Sequence, residues 1–299
     1  MIYHRPVLLN ESVDGLNINP KGFYADLTFG GGGHSREILK RLGKTGKLLA
    51  FDQDLEAKKN LPDDRRITFI NANFRFLKNF LNYYRIEKLD GILADLGISS
   101  YQIDTLERGF AFRENTSLDM RMNPGSGLTA QLILNTSSLE ELTRIFREYG
   151  EVSGAHRIAH RIVEERVKGT FTDTNSFINA ISGLIPPNQV NKTLAKLFQA
   201  LRIEVNQEIA ALREMLEVSK EVLSKGGRLV VLSYHSLEDR LVKNMIRSGN
   251  LDGRIEKDFF GHEKSVFHAV NQKVITPSEE EIVSNPRARS AKLRIAERL

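Results

Sequence analysis

The 299 residues carry 43 Lys and Arg against 38 Asp and Glu, a net charge of +5, and no cysteine. Disulfides, thiolate metal ligands and a cysteine nucleophile are therefore excluded. A pI near 9.3 mildly favours a polyanionic partner, and at roughly 150 residues per domain the chain has room for about two. There is no apolar run of about 18 residues, and MIYHRPVLLNES has no signal-peptide layout, so a cytoplasmic protein without a membrane partner is expected.

After a lead-in at His4 to Leu9 and a brief helix from Asn10 toward Leu16, Phe23 to Ser35 reads FYADLTFGGGGHS. Phe23, Ala25, Leu27 and Phe29 recur at period two, predicting a buried strand. Gly30 to Gly33 then permit positive φ and close approach of a ligand to the backbone. A helix follows from His34, with Ile38, Leu39 and Leu42 on one face and Gly43 as its stop. Lys47 to Asp52 predicts a second strand ending on an acid, Leu55 to Asn60 a helix, and Ile67 to Ile70 a third strand. Phe76, Leu77, Phe80 and Leu81 predict the inward face of the next helix, and Leu89 to Asp95 a fourth strand.

From Asp104 to Met122 the chain reads as an irregular loop. Five helical patterns without strands follow: Leu128 to Leu134, Leu139 to Tyr149, Ala155 to Val167, Thr174 to Leu184 and Thr193 to Ile203. A strand-free interval within an alternating chain predicts an inserted all-α domain. The expected organisation is a core of residues 1–103 and 206–299, interrupted by a helical substrate-recognition domain at 104–205. A long helix at Asn206 to Leu223 returns through Gly226 and Gly227 to a fifth strand at Arg228 to Tyr234, with its helix at Leu237 to Ile246. Phe267 to Ile275 and Ser290 to Leu299 predict a closing strand pair, separated by a turn of helix at Glu279 to Ile282.

Strand, glycine loop and helix form the first turn of a nucleotide-binding α/β unit. Asp52 follows the loop by about 20 residues, where such folds place a carboxylate for ribose hydroxyls. The dinucleotide fingerprint GxGxxG needs Gly or Ala at position 35, which is Ser, so pyrophosphate is the weaker reading. S-adenosylmethionine also presents a ribose to Asp52, and its carboxylate suits the helix start near His34. A glycine-rich loop alone leaves both ligands open. Gly43-Lys44-Thr45 does not make a phosphate loop, because position 38 is Ile and a helix precedes it.

Ordered motifs over nearly the whole chain carry a resemblance. They are His4-Arg5-Pro6-Val7-Leu8-Leu9, Asp26-Leu27-Thr28-Phe29-Gly30 through Ser35, Asp95-Leu96-Gly97-Ile98-Ser99-Ser100, Arg108-Gly109-Phe110 and Leu118-Asp119-Met120-Arg121-Met122. Further along come Phe198-Gln199-Ala200-Leu201-Arg202-Ile203, Gly226-Gly227-Arg228-Leu229, His235-Ser236-Leu237-Glu238-Asp239-Arg240 and Asn285-Pro286-Arg287-Ala288-Arg289-Ser290. The chain resembles the bacterial 16S ribosomal RNA methyltransferases that modify the N4 amino group of a decoding-centre cytosine. The resemblance implies a class I (Rossmann-like) methyltransferase sheet, S-adenosyl-L-methionine as cofactor, and 16S ribosomal RNA or the small subunit as partner. It further implies Gly32, Gly33 and His34 at the methionine end of the cofactor, Asp52 at the ribose, Phe74 at the adenine, and Asp95 with Gln102 beside the reacting methyl. Read alone, Phe74 is a core side chain and Gln102 a polar loop residue.

The chemistry agrees with an amine acceptor. Methylation of a pyrimidine at carbon 5 normally needs a covalent thiolate, and the chain has no cysteine. An exocyclic amine has its lone pair delocalised, so an enzyme must align the nitrogen and accept hydrogen bonds from its N–H groups as charge develops. Asp95 is the expected catalytic residue, orienting the amine or relaying its proton, with Ser99 and Ser100 as neighbouring acceptors. Asp95 acting only as a cofactor ligand or loop cap is the competing reading.

Arg108, Arg121, His235, Arg287 and Arg289 are the expected substrate contacts, and His156, Arg157, His160, Arg161, Arg166 and Lys168 form a basic helix face for phosphates or a solvated surface. His156 and His160 lack the Glu of a zinc helix, so no metal is expected. The chain departs from the family pattern at Tyr101, commonly Pro, and at Lys192 to Lys196, where Lys196 replaces an arginine and loses its bidentate fork. Tyr234 stands where Phe is common, a mild change by size. A dinucleotide oxidoreductase, a catalytically silent assembly factor and a DNA amino-methyltransferase are the rivals; the last normally carries a DPPY-like tetrad, and Asp95-Leu96-Gly97-Ile98 is not one. Monomer and homodimer both remain open.

Overall fold

The computed structural model describes residues 6–255, 257, 259–260 and 265–299, so His4 and Arg5 of the lead-in motif lie outside the described residues. The chain divides into two compact units, Met1–Gly97 with Ile209–Leu299, and Ile98–Glu208. The divisions fall after Gly97 and Glu208 rather than at 103 and 205. The short helix Ser100–Asp104 runs almost directly into the tight turn Leu106–Arg108 and goes with the second unit.

The first unit is built on a sheet of seven strands: β1 (Phe23–Asp26), β2 (Lys47–Asp52), β3 (Ile67–Asn71), β4 (Leu89–Asp95), β5 (Leu223–Ser233), β6 (Phe267–Ala269) and β7 (Lys292–Arg298). Their order is β3-β2-β1-β4-β5-β7-β6. Strands β1 to β5 are parallel, and β7 lies antiparallel between β5 and β6. This is the expected Rossmann-like class I methyltransferase sheet. Its strand order reverses between β1 and β4, the switch point beside which α/β folds leave a crevice at the carboxyl ends of the strands.

The expected alternation along β1 is corrected: Phe23 is 37% exposed while Tyr24, Ala25 and Asp26 are all buried. A central parallel strand is covered on both faces, so period two marks which face a residue enters, not whether it meets water. Ala25, Leu49 and Phe51 enter one apolar core with Leu77, Leu81 and Met215, and Tyr24, Leu48 and Ala50 enter the other with Ile38, Val230 and Ile295. Each full-sized apolar side chain buried there contributes about 1.5–3 kcal/mol.

Helices α1 (Leu9–Gly15), α2 (Gly33–Arg41) and α3 (Leu77–Tyr84) belong to the first part of this unit. Leu55–Asn60 is a 3-10 helix, not an α-helix. Phe76 is 48% exposed, against the expectation that it faces inward: it precedes α3 in a separate 3-10 turn and is off that helix's apolar stripe. The second unit contains α4 (Ser100–Asp104), α5 (Ala130–Thr136), α6 (Leu139–Glu148), α7 (Ala155–Lys168), α8 (Thr174–Ser182) and α9 (Val190–Asn206). Then α10 (Glu208–Val222) leads to β5, α11 (Ser236–Ser248) follows it, and α12 (Glu279–Ser284) precedes β7.

Two strand readings change. Pairing of β5 with β4 starts at Leu223, slips, and resumes at Arg228, with Gly226 at φ 80 in the irregular stretch. The strand expected through Ile275 ends at Ala269. The Asn271 side chain takes the Ile295 N–H in place of the backbone, and Ile275 returns only as an isolated bridge to Leu293.

The second unit packs α5 to α9 around Phe146, Ile162, Phe177, Leu197 and Phe198, and the segment expected to be an irregular loop contributes to that core. Leu118 and Met120 are fully buried. Asn206 pins the segment by accepting from Met122 N at 2.7 Å and donating to Met120 O at 2.8 Å. Gly109 turns it at φ 72, where an added Cβ would stand 2.1 Å from the Ser117 carbonyl oxygen. A left-handed residue other than glycine costs about 1–2 kcal/mol before any clash, and backbone must move as well. Gly109→Ala is expected to destabilise the second unit by about 3 kcal/mol or more, read as an earlier loss of protection of α5 to α9 in native-state hydrogen exchange under urea. Unchanged exchange there would remove the requirement for glycine.

Candidate active site

The carboxyl ends of β1, β2 and β4 each carry an aspartate: Asp26, Asp52 and Asp95. Between β1 and α2 the glycine loop turns with Gly30 at φ 49 and Gly32 at φ 74. An added Cβ would meet the Phe29 ring at 2.8 Å on Gly32 and the Pro6 side chain at 2.0 Å on Gly33. Glycine at 32 and 33 is thus demanded by neighbours within the protein itself. The loop is buttressed from outside: Arg36 donates to Gly31 O (2.7 Å) and Asn60 O (2.6 Å), and Asn60 Nδ2 donates to Gly30 O (3.0 Å). Gly32 offers α2 no side-chain cap, so the start of that helix is left to other acceptors.

Asp52 closes the loop from the β2 side. Its Oδ2 accepts from Gly30 N at 2.7 Å and its Oδ1 from Asp54 N at 2.8 Å. Burial raises its pKa to about 6, against the lowering effect of those two N–H groups. Each oxygen keeps a lone pair for a hydroxyl donor. Phe74 follows β3 and is half-buried, packed against the core that holds Phe51 and Leu77.

Asp26 received no role from sequence beyond membership of a motif, yet it is completely buried. It accepts from Ser35 Oγ at 2.6 Å and from Thr28 N at 3.1 Å, tying the strand end to the first turn of α2 across the glycine loop. Burial raises its pKa, opposed by His34, Ser35 and Thr28. His34 is buried too, with Nε2 3.3 Å from the Val7 carbonyl oxygen. Burial holds its pKa below the usual imidazole value, so the ring is neutral at pH 7.

Asp95 ends β4 with its backbone N–H on Thr28 Oγ1 at 2.7 Å. Its Oδ1 accepts from the Tyr234 hydroxyl at 2.7 Å, and its Oδ2 lies 3.8 Å from His34 Nδ1. Burial and, secondarily, the Glu238 charge raise its pKa to about 7, although Tyr234 favours the ionised form. With its side chain 23% exposed it stays open to a reactant. A carboxylate that exchanges a proton near neutrality suits acid–base work. Beyond β5, Glu238 is buried and accepts from Tyr234 N at 2.8 Å, while its other oxygen is 3.1 Å from His235 Nε2. Arg287 and Arg289 are exposed on a 3-10 turn before β7.

The remaining expected site residues belong to the second unit. Ser99 and Gln102 form a reciprocal cap on α4: Gln102 N donates to Ser99 Oγ (3.3 Å) and Ser99 N to Gln102 Oε1 (3.1 Å). Ser100 opens that helix. Arg108 donates to the carbonyls of Arg121 and Met122 at 2.8 and 2.9 Å. Arg121 grips Asp119 through two nitrogens and also donates to Pro124 O and Ser126 O. Both guanidinium groups therefore brace the 104–122 segment, whose Leu118, Met120 and Met122 are buried. On α7, Arg166 donates to Ser137 O at 2.7 Å, near the C-terminal end of α5, and Arg157 to Leu184 O. His160 and Arg161 both lie 3.5 Å from Glu164. The basic face read from sequence is thus partly structural and partly neutralised.

Residues 1–299 match the family model described as "MraW methylase family". The chain is 55% identical over 298 residues to the Ribosomal RNA small subunit methyltransferase H of Bacteroides thetaiotaomicron, covering 100% of this chain and 98% of that protein. It is 52% identical over 299 residues to the protein of the same name from Christiangramia forsetii, covering 100% and 99%. Among solved structures, an rRNA methylase from Streptococcus thermophilus aligns over 100% of this chain and 99% of its own, with 14% identity and a TM-score of 0.44.

Proposed function

The chain belongs to the MraW methylase family, and from that premise we propose that it transfers a methyl group from S-adenosylmethionine to the N4 amino group of a cytidine in the decoding centre of 16S ribosomal RNA. The observation that carries this reading is the Asp95 carboxylate, half-held by Tyr234 and partly open, at the switch point beside the glycine loop and Asp52. The donor set fits the cofactor: a carboxylate with spare lone pairs at the end of β2, an uncapped helix start, and a half-buried aromatic side chain after β3. S-adenosylmethionine supplies an activated methyl group.

The protein's own part is alignment and acceptance of a proton. Asp52 holds ribose hydroxyls, the start of α2 with Gly32, Gly33 and His34 takes a carboxylate, and Phe74 lies against adenine. Asp95 accepts from an amine N–H, drawing the lone pair out of conjugation and stabilising charge that develops on nitrogen. With a pKa near 7 it then takes that proton and releases it. Gln102 adds a contact on the methyl side. Ser99, Ser100, His235, Arg287 and Arg289 contribute to RNA recognition, Arg108 and Arg121 contribute to it by shaping the loop they brace, and the 98–208 unit is the substrate-recognition domain. Among the described residues no helix is long and apolar enough to cross a membrane, in keeping with an enzyme that meets ribosomal particles in the cytoplasm.

The test is transfer of labelled methyl from S-adenosylmethionine to small-subunit particles and to naked 16S RNA, with nucleosides separated by mass spectrometry. N4-methylated cytidine is the expected product. Label on another atom, or on neither RNA form, would assign a different acceptor.

A further inference from the structure

Resting on the reading of Asp95 as the amine acceptor, we propose that Tyr234 is its positioning residue: the phenol holds one carboxylate oxygen so that the other points at the substrate, and it sets the pH below which this enzyme stops working. By size alone, Tyr at a position where Phe is common is a mild change. In the structure the added hydroxyl has a specific partner. Tyr234 follows β5 directly, and β5 pairs with β4 so that Asp95 stands opposite Leu232. The phenol thereby reaches Asp95 Oδ1 at 2.7 Å across 139 positions of sequence. The residue is itself fixed, since its backbone N–H is bound by the buried Glu238 at 2.8 Å and its ring packs against the core around Leu93 and Leu232.

Asp95 Oδ2 is different. A carbonyl only accepts, so the contact with Val7 O puts the His34 proton on Nε2 and leaves a lone pair on Nδ1, the atom 3.8 Å from Oδ2. Neutral His34 gives Oδ2 no donor, and among the described residues none other donates to it. One oxygen already accepts from the phenol while the other has no donor among the described residues, the asymmetry an acceptor of an N–H needs.

The titratable groups around Asp95 are Asp26 at the end of β1, His34 on α2, Tyr234 after β5 and Glu238 on α11. Asp26 and Glu238 disfavour its ionisation when charged, neutral His34 does not aid it, and Tyr234 is the one of the four that stabilises the carboxylate by a hydrogen bond. The phenol stays protonated throughout, because its own pKa is raised well above the usual value by burial and by the nearby carboxylates.

Tyr234→Phe keeps the ring and removes only that donor. The experiment is the pH dependence of kcat/KM for methyl transfer to small-subunit particles, for wild type, Tyr234→Phe and Asp95→Asn, with cofactor affinity measured alongside. In Tyr234→Phe the acidic limb is expected to move up by about one pH unit, the size of a charged hydrogen bond. Activity then falls about tenfold below pH 6.5 and returns to wild-type level near pH 9, with cofactor affinity unchanged. A limb that stays in place, or a loss equal at every pH, would overturn the role of Tyr234 while an inactive Asp95→Asn upheld that of Asp95. Full turnover by Asp95→Asn would instead remove the premise and the proposal with it.

Discussion

Asp95→Asn is expected to lower methyl transfer by about 10²–10⁴-fold, the range that a positioned proton acceptor supplies, while S-adenosylmethionine affinity changes by no more than a few-fold. The variant should fold well. Its side-chain carbonyl can accept from Tyr234 and its NH₂ can face the His34 lone pair, so the two neighbours that constrain Asp95 keep or gain a partner. The effect on stability has a definite sign. Burial raises the folded-state pKa of Asp95 to about 7, well above its ordinary value of 3.8. The folded protein therefore holds this proton more tightly than the unfolded chain. The associated stability is present below the unfolded pKa and is lost as pH rises through about 7. Asparagine does not titrate, so the Tm difference, variant minus wild type, should grow more positive from pH 5 to pH 8 in calorimetry. A variant that is inactive yet more stable at pH 8 would mark Asp95 as a group held against its own solvation preference for function. Wild-type turnover would dismiss it as the acceptor, and a Tm difference flat with pH would dismiss the buried titration.

Asp52→Ala is expected to weaken S-adenosylmethionine binding by about 30–150-fold, the equivalent of roughly 2–3 kcal/mol for hydroxyls bound to a charged acceptor. Asp52 also anchors Gly30 N and Asp54 N, so part of the loss comes through the glycine loop. Asp52→Asn separates the two contributions. It retains one acceptor for those N–H groups but loses the charge and turns an NH₂ toward the other, and an intermediate loss is expected. Wild-type affinity should also weaken below about pH 6 as Asp52 protonates. Isothermal titration at pH 5.5 and 8 reads all three effects. Affinity equal to wild type in Asp52→Ala would move the ribose contact to another group.

The element pattern was legible because its causes are local. Four consecutive glycines, the 3.6-residue apolar stripes of α6 and α7, and acids closing runs such as KLLAFD and LDGILAD state their positions without reference to the rest of the chain. The placement of Asp52 and Asp95 at strand ends follows from the same signals, as does the absence of thiolate chemistry. Partnerships were decided by the tertiary structure. Nothing local announces that Pro6 and Phe29 crowd Gly33 and Gly32, that Asp26 joins Ser35, or that Arg108 and Arg121 spend their donors on neighbouring carbonyls. Phe76 carries an apolar side chain and still faces water, because a 3-10 turn sets it off the stripe of α3. Tyr234 makes the contrast plainest: its sequence neighbours are strand and helix start, and its partner Asp95 is brought to it only by strand order and register. Periodicity encodes which face of an element is apolar. Which distant polar groups meet depends on how strands β4 and β5 align, a property of the assembled sheet.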